Sequence, residues 1–309
     1  MSKSHQTLRD KVEEVDLASL FRRFEQEYGN AYARLVAQLR QSYPEITRPG
    51  RRTGRALRNI CFIVWCCCRD RERKLIPTLF RAAVLLSAQD DYYDNARIPA
   101  AQKESFCAAT NHALRMNSFR PGSQRSRQLR DLSSLWSYVA RTIPRSTPRV
   151  RSYWIETACQ LNDAMAAENR SVRRRARVTY EEYMGTAVRS IGMVFIWATY
   201  LAHEHVPMPA IREMGPVLLH GARVVRLSND MASYRQRRNR TSAVTVLGGR
   251  SPAARIHTLV MQEHRAFREG LETLDVRPQV RGVLLHSMDF LREFYQRSDF
   301  DRGRVWSNA

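Results

Sequence analysis

The chain lacks any apolar run of the ~20 residues that a helix needs to cross a bilayer. "ICFIVWCCC" (60–68) and "MVFIWATYLA" (193–202) hold nine and ten residues, lengths that suit buried helices. A secretory leader is not expected either, because "MSKSHQTLRDKVEEVD" is too charged; the chain reads as soluble and cytoplasmic. Glycine is sparse, at 13 of 309 residues, and 43% hydrophobic content argues against wholesale disorder. The six cysteines include three in a row at 66–68. That spacing excludes a disulfide framework or a single metal cluster and suggests buried apolar thiols in a reducing compartment. Acidic residues are few: 30 Asp+Glu face 51 Lys+Arg, a formal charge of +21. Such a balance attracts polyanions, acidic lipid or phosphorylated substrates. The bases are spread along the chain without interleaved aromatics, so a solvated arginine-rich surface is favoured over a nucleic-acid-binding face.

Strand-like alternation is also missing. Apolar residues recur at three- and four-residue intervals, which predicts helices over 8–40, 56–68, 75–89, 129–140, 153–170, 180–203, 211–234, 253–274 and 280–294. Proline- and glycine-containing joints separate them. The expectation is one all-α helical bundle over 1–309 with a central apolar pocket, its ends (1–15 and 301–309) flexible.

Against this basic background, "SAQDDYYDNAR" (87–97) concentrates carboxylates. Asp90, Asp91 and Asp94 follow an apolar stretch and belong on the last turns of a helix, where residues three and four apart share a face. Three such carboxylates repel one another and oppose the helix dipole unless a cation or water lies between them. Hard oxygen donors at this density suit Mg2+, which binds through one or two carboxylates plus substrate phosphates. Downstream, in "VVRLSNDMASYRQRRNR", Asn229 and Ser233 project an amide oxygen and a hydroxyl from one helical face, a second set of Mg2+ donors.

Together the two stretches resemble those of bacterial class I terpene synthases. Asp90, Asp91 and Asp94 match the family's DDxxD motif; Asn229, Asp230 and Ser233 match the start of NDxxSxxxE. The resemblance implies a helical bundle with both motifs facing one apolar pocket and holding three Mg2+ ions on a prenyl diphosphate. The metal cluster would neutralise the leaving diphosphate so that the allylic C–O bond ionises. Aromatic walls would then stabilise the carbocation, with Phe62, Trp65, Phe80, Tyr92, Phe195, Trp197 and Tyr200 as candidates. A homodimer is compatible with the family but not required by the sequence.

Two features depart from the family pattern. Arg237 stands where the second motif ends in glutamate; a guanidinium ~4 Å from Mg2+ is repelled by about 8 kcal/mol at an effective dielectric of ~20, so it cannot substitute beside the ion and either turns toward the diphosphate, as a candidate substrate contact, or leaves the site. Val188 occupies the place aligned with the diphosphate-sensing arginine, leaving Arg189 as the neighbouring candidate, while Gly192 matches the glycine at the helix break. In "EFYQRSDF", Tyr295 and Arg297 correspond to the late segment that closes over diphosphate. Arg226, one turn before Asn229, is a further candidate phosphate contact.

A DxDD element is absent, so protonation-initiated cyclisation is not expected, and "DDYYDNARIPAA" lacks the arginine pair of prenyl-elongating enzymes. "LSNDMASY" and "FYQRSDF" look most like bacterial diterpene synthases acting on a copalyl-type C20 diphosphate, with a pimaradiene- or kaurene-like product. The alternatives are a farnesyl diphosphate sesquiterpene cyclase, a catalytically impaired relative and, outside the class, a basic nucleic-acid-binding protein.

Overall fold

The computed structural model describes residues 16–68, 70–120, 126–144, 148–174, 178–235, 242–248 and 252–297. Among them every regular element is helical: α1 (Leu17–Ser42), α2 (Pro44–Thr47), α3 (Arg52–Cys67), a 3-10 segment (Asp70–Leu75), α4 (Ile76–Asp94), α5 (Ala100–Met116), α6 (Arg127–Thr142) and α7 (Pro148–Arg174). They are followed by α8 (Tyr180–Ser190), α9 (Met193–His203), α10 (Met208–Arg235), α11 (Ala243–Leu247), α12 (Pro252–Thr273) and α13 (Pro278–Arg297).

The ends follow local chemistry. Asp16 caps α1 by accepting from the Ala18 and Ser19 amides at 3.0 and 3.1 Å. A reciprocal capping box between Thr179 and Glu182 starts α8. Helix α5 was not among the expected helices, because its buried residues Phe106, Cys107 and Leu114 are diluted by polar ones such as Lys103, Thr110 and Asn111, which are themselves buried.

The helix that periodicity predicts over 180–203 is two helices, and the break falls at Gly192, where the family resemblance implies one. Its φ of 74° lies in the left-handed region, and a Cβ there would come within 2.7 Å of the Leu86 side chain. By length and composition 180–203 passes for a membrane span, yet 61% of its apolar window is buried in the protein. Each half is only 11 residues, far below the ~20 a crossing helix requires.

Helices α3, α4, α7, α9, α10 and α13 surround a cavity of about 580 Å³. Behind it lies an aromatic core in which Phe62 packs edge-on against Phe21, Phe24 and Phe290. On another side Trp197 stacks on Phe267 at 5.5 Å. Gly221 of α10 permits that stack, since a Cβ there would come within 2.6 Å of Trp197 and 2.7 Å of Phe267.

A buried polar chain fixes α4 in this frame. Trp136 Nε1 donates to Gln89 Oε1 (2.9 Å), Gln89 Nε2 to Asn162 (2.6 Å), Asn162 Nδ2 to Asn111 (2.8 Å) and Asn111 Nδ2 to Asp163 (2.8 Å). Every member of a satisfied network resists rotation, because turning one strands a buried polar group. Gln89 immediately precedes Asp90, so the network sets the rotational register of the acidic turn.

Candidate active site

Helix α4 carries the acidic turn to the mouth of the cavity, and its three aspartates part company there. Asp90 and Asp94 line the cavity; Asp91 turns to α3 and accepts from the Thr53 amide at 2.9 Å and the Thr53 hydroxyl at 2.8 Å. Of the three carboxylates expected as ligands, two thus line the cavity and the third bonds to a neighbouring helix. The helix period explains this, because residues one apart diverge by about 100° while residues four apart share a face.

The cation that the crowded carboxylates require is Arg52, whose Nη1 lies 2.8 Å from Asp90 Oδ2 and 3.3 Å from Asp94 Oδ2. Withdrawal from bulk water and the Asp94 charge still push the Asp90 carboxyl up to about 7, against the opposing pull of Arg52. Withdrawal from water likewise raises Asp94. At the C-terminal end of α4, Lys103 Nζ and Asn169 Nδ2 both donate to the Tyr93 carbonyl, relieving the exposed carbonyl charge of the helix end.

Asn229 and Ser233 of α10, which their four-residue spacing puts on one helical face, line the same cavity as Asp90 and Asp94. Asp230, one residue on, is fully buried and accepts from Tyr183 Oη at 2.6 Å and the Ala243 amide at 2.9 Å. Burial raises its carboxyl, with Arg226 and the Tyr183 hydrogen bond opposing. Arg226 lies 3.1 Å from Asp230 and 2.8 Å from Glu168. Burial disfavours the Arg226 charge, but these two carboxylates outweigh it and hold the guanidinium protonated. Ser190 donates to the other Glu168 oxygen, so Glu168 ties α10 to the end of α8, two residues before Gly192.

The set fits a hard divalent cation held in part by its substrate. Among the described residues no three His, Cys, Asp or Glu side chains gather closely enough to hold a metal alone. Two carboxylates, an amide and a hydroxyl around one cavity leave positions for phosphate oxygens and water, the coordination Mg2+ prefers.

Other expected positions fall differently. Arg189 is exposed and its guanidinium folds back onto the Gly185 carbonyl of its own helix at 2.8 Å; it does not line the cavity, and Val188 is buried. Of the seven aromatic wall candidates, only Trp197 and Tyr200 line the cavity. Phe62 and Trp65 pack against Phe24, Tyr92 against Phe106, and Phe195 between Trp136 and Trp154; Phe80 is fully buried. These are core because their side of each helix faces another helix rather than the cavity. Tyr295 lines the cavity. Arg237 and the Arg297 side chain lie outside the described residues.

Sequence reasoning missed Arg52, Tyr93, Glu168 and Ser190. Glu168, with Met165 and Asn169, had a weak signal in its three- and four-residue spacing on one helical face; Arg52 had none, being one arginine among many. Most of the remaining wall is aliphatic, with Ile60, Ile63, Leu79, Leu86, Ile196, Val283 and Leu291, while Cys67, Cys68, Ser87 and Ser287 also line it. Burial pushes the Cys68 thiol up to about 12, so it acts as an apolar group. Carboxylate, amide and hydroxyl groups thus share one cavity with a largely aliphatic wall.

The family model for terpene synthase family 2, C-terminal metal binding, matches residues 81–264, a span that includes both donor pairs. No curated protein matches the sequence. Among solved structures, isoprene synthase from grey poplar (Populus x canescens), bound to three Mg2+ ions and dimethylallyl-S-thiolodiphosphate, is 12% identical with a TM-score of 0.70; the match covers 91% of this chain and 55% of that one. The chain thus spans about half the length of the poplar enzyme. Linalool/nerolidol synthase from Streptomyces clavuligerus, in complex with 2-fluorogeranyl diphosphate, is 15% identical with a TM-score of 0.68, covering 89% of this chain and 94% of that one. Abietadiene synthase from Abies grandis is 12% identical with a TM-score of 0.69, covering 89% and 38%. At these identities the likeness is one of fold.

Proposed function

The chain belongs to terpene synthase family 2, defined by C-terminal metal binding, and on that premise we propose that it is a Mg2+-dependent class I diterpene synthase. It ionises a copalyl-type C20 diphosphate and closes the carbocation to a pimaradiene- or kaurene-like hydrocarbon, releasing diphosphate. The observation that carries this reading is the single cavity that Asp90, Asp94, Asn229 and Ser233 share with a largely aliphatic wall.

Asp90, Asp94, Asn229 and Ser233 would hold Mg2+, which supplies positive charge to the departing diphosphate. Asp91 acts at one remove by fixing α3 against the acidic turn. Arg226, on the cavity wall beside Asn229, is the candidate guanidinium facing the diphosphate, and Tyr295 closes that end; Arg189 is not assigned a role. Trp197 and Tyr200 present aromatic surface to the carbocation. Trp197 is fixed for that task by its hydrogen bond to Ser287 Oγ at 3.0 Å. The apolar walls exclude water, so a cation formed there rearranges before it is quenched.

The C20 assignment rests on the resemblance of "LSNDMASY" and "FYQRSDF" to diterpene synthases. The cavity, at about 580 Å³, lies within the usual range of ligand sites, about 300–1,000 Å³. Incubation with Mg2+ and separate geranyl, farnesyl, geranylgeranyl and copalyl diphosphates, followed by gas chromatography, tests the reading. A cyclic diterpene from copalyl diphosphate, lost in Asp90→Ala, is expected. Product from farnesyl diphosphate alone would replace it with the sesquiterpene reading, and no product from any member with folded protein would end it.

A further inference from the structure

Arg52 stands where a cation is intrinsically disfavoured. It is the first residue of α3, and the amide groups of a helix N-terminus present positive charge that repels a guanidinium. Two carboxylates of α4 hold it there: one nitrogen, Nη1, lies within hydrogen-bond reach of an oxygen from each of Asp90 and Asp94. The next residue leaves little freedom to this arrangement, because the Thr53 amide and hydroxyl are both bound by Asp91, and the Thr53 hydroxyl also meets Ser87 Oγ at 3.1 Å. The start of α3 is thus fastened to the end of α4 at two adjacent points, one made by backbone and one by a side chain that ends in a charge.

A Mg2+ ion shared by two carboxylates sits about 2.0–2.1 Å from an oxygen of each. Arg52 Nη1 occupies the space between those same oxygens, and two cations do not share it. We infer that Arg52 is a tethered counter-cation: it holds Asp90 and Asp94 together in the metal-free protein, yields them to metal, and turns its guanidinium to the diphosphate that arrives with the ion. Metal uptake is thereby made dependent on diphosphate, since the anion gives the displaced guanidinium a new partner. The inference rests on the metal-dependent reading of the same cavity. It adds a positioning residue that lies outside both motifs.

The test is binding of Mn2+, read by electron paramagnetic resonance, to the full chain and to Arg52→Gln and Arg52→Lys, with and without inorganic pyrophosphate. Without pyrophosphate, Arg52→Gln is expected to bind Mn2+ about five- to tenfold more tightly than wild type, the equivalent of losing two partly exposed ion pairs. Arg52→Lys keeps the charge and is expected to stay near wild type. With saturating Mn2+, pyrophosphate affinity is expected to fall severalfold in Arg52→Gln. Opposite shifts in the two affinities distinguish exchange from a structural role, which moves both in one direction. Unchanged or weaker Mn2+ binding by a folded Arg52→Gln, with pyrophosphate binding intact, overturns the role of Arg52 alone. Absence of Mn2+ binding by every form, even with pyrophosphate, overturns it together with the metal-dependent reading.

Discussion

Asp91 sits between two cavity-facing aspartates, yet its carboxylate accepts from the backbone amide of Thr53 at 2.9 Å, near the start of α3. The middle member of the acidic turn is a tertiary helix cap, and one amide that the start of α3 would otherwise leave unpaired is satisfied by α4.

Asp91→Ala is therefore expected to cost about 1–3 kcal/mol of stability, the usual penalty when a buried donor loses a charged acceptor. Asp90→Ala is expected to abolish the stabilising response to Mg2+ with pyrophosphate while leaving the metal-free melting temperature nearly unchanged. Thermal melts of both variants, with and without the ligands, separate the two roles; equal loss of metal response without destabilisation in Asp91→Ala would show that all three carboxylates ligate.

Gly192 is expected to tolerate no side chain. Alanine there adopts a left-handed backbone at about 1–2 kcal/mol, and its Cβ meets Leu86 at 2.7 Å. Gly192→Ala should lower the melting temperature and turnover together. Adding Leu86→Ala removes the clash but not the backbone strain, so a double-mutant cycle should recover only part of the loss.

Arg226→Gln is expected to be among the most damaging substitutions outside the aromatic core. It leaves Asp230, which is fully buried, without its cation, and breaking such a pair costs about 3–5 kcal/mol. Tyr183→Phe, which removes one neutral donor to Asp230, should cost about 1–2 kcal/mol. Chemical denaturation reads both; similar small losses would mean that the cluster does not hold α10.

Acid stability should carry the signature of Asp289. Burial alone would raise its carboxyl, but the His264 hydrogen bond and charge, with Arg268 and Arg292, outweigh it and hold it below the ordinary 3.8. A depressed carboxyl means that the unfolded chain binds its proton more readily. The stabilisation is thus present above about pH 4 and is lost as pH falls through the lowered value. The gap in melting temperature between wild type and Asp289→Asn should be widest near pH 6 and shrink below pH 4; a gap independent of pH would contradict the assignment.

The helical architecture was legible because amphipathic periodicity is a local property. So was the pairing of Asp90 with Asp94 and of Asn229 with Ser233, since residues four apart on one helix share a face whatever surrounds them. What faces that face was not legible. Phe195 and Trp197 lie two apart on α9, and only the packing partners decide that Trp197 lines the cavity while Phe195 goes to Trp136 and Trp154. The same holds for Arg52, which meets the acidic turn across a sequence separation of 38 residues. The break at Gly192 was marked by its glycine; the Leu86 side chain that leaves no room for a Cβ there lies on another helix.

On the proposed function, the aspartate pair of α4 and the amide–hydroxyl pair of α10 grip one inorganic bridge on diphosphate. Crystals grown with Mn2+ and pyrophosphate, measured at the manganese absorption edge, test it most directly. Anomalous peaks are expected within ligand distance of Asp90 and Asp94 on one side and of Asn229 and Ser233 on the other, with pyrophosphate between them. Manganese confined to the protein surface, or pyrophosphate bound with neither pair in contact, would contradict it.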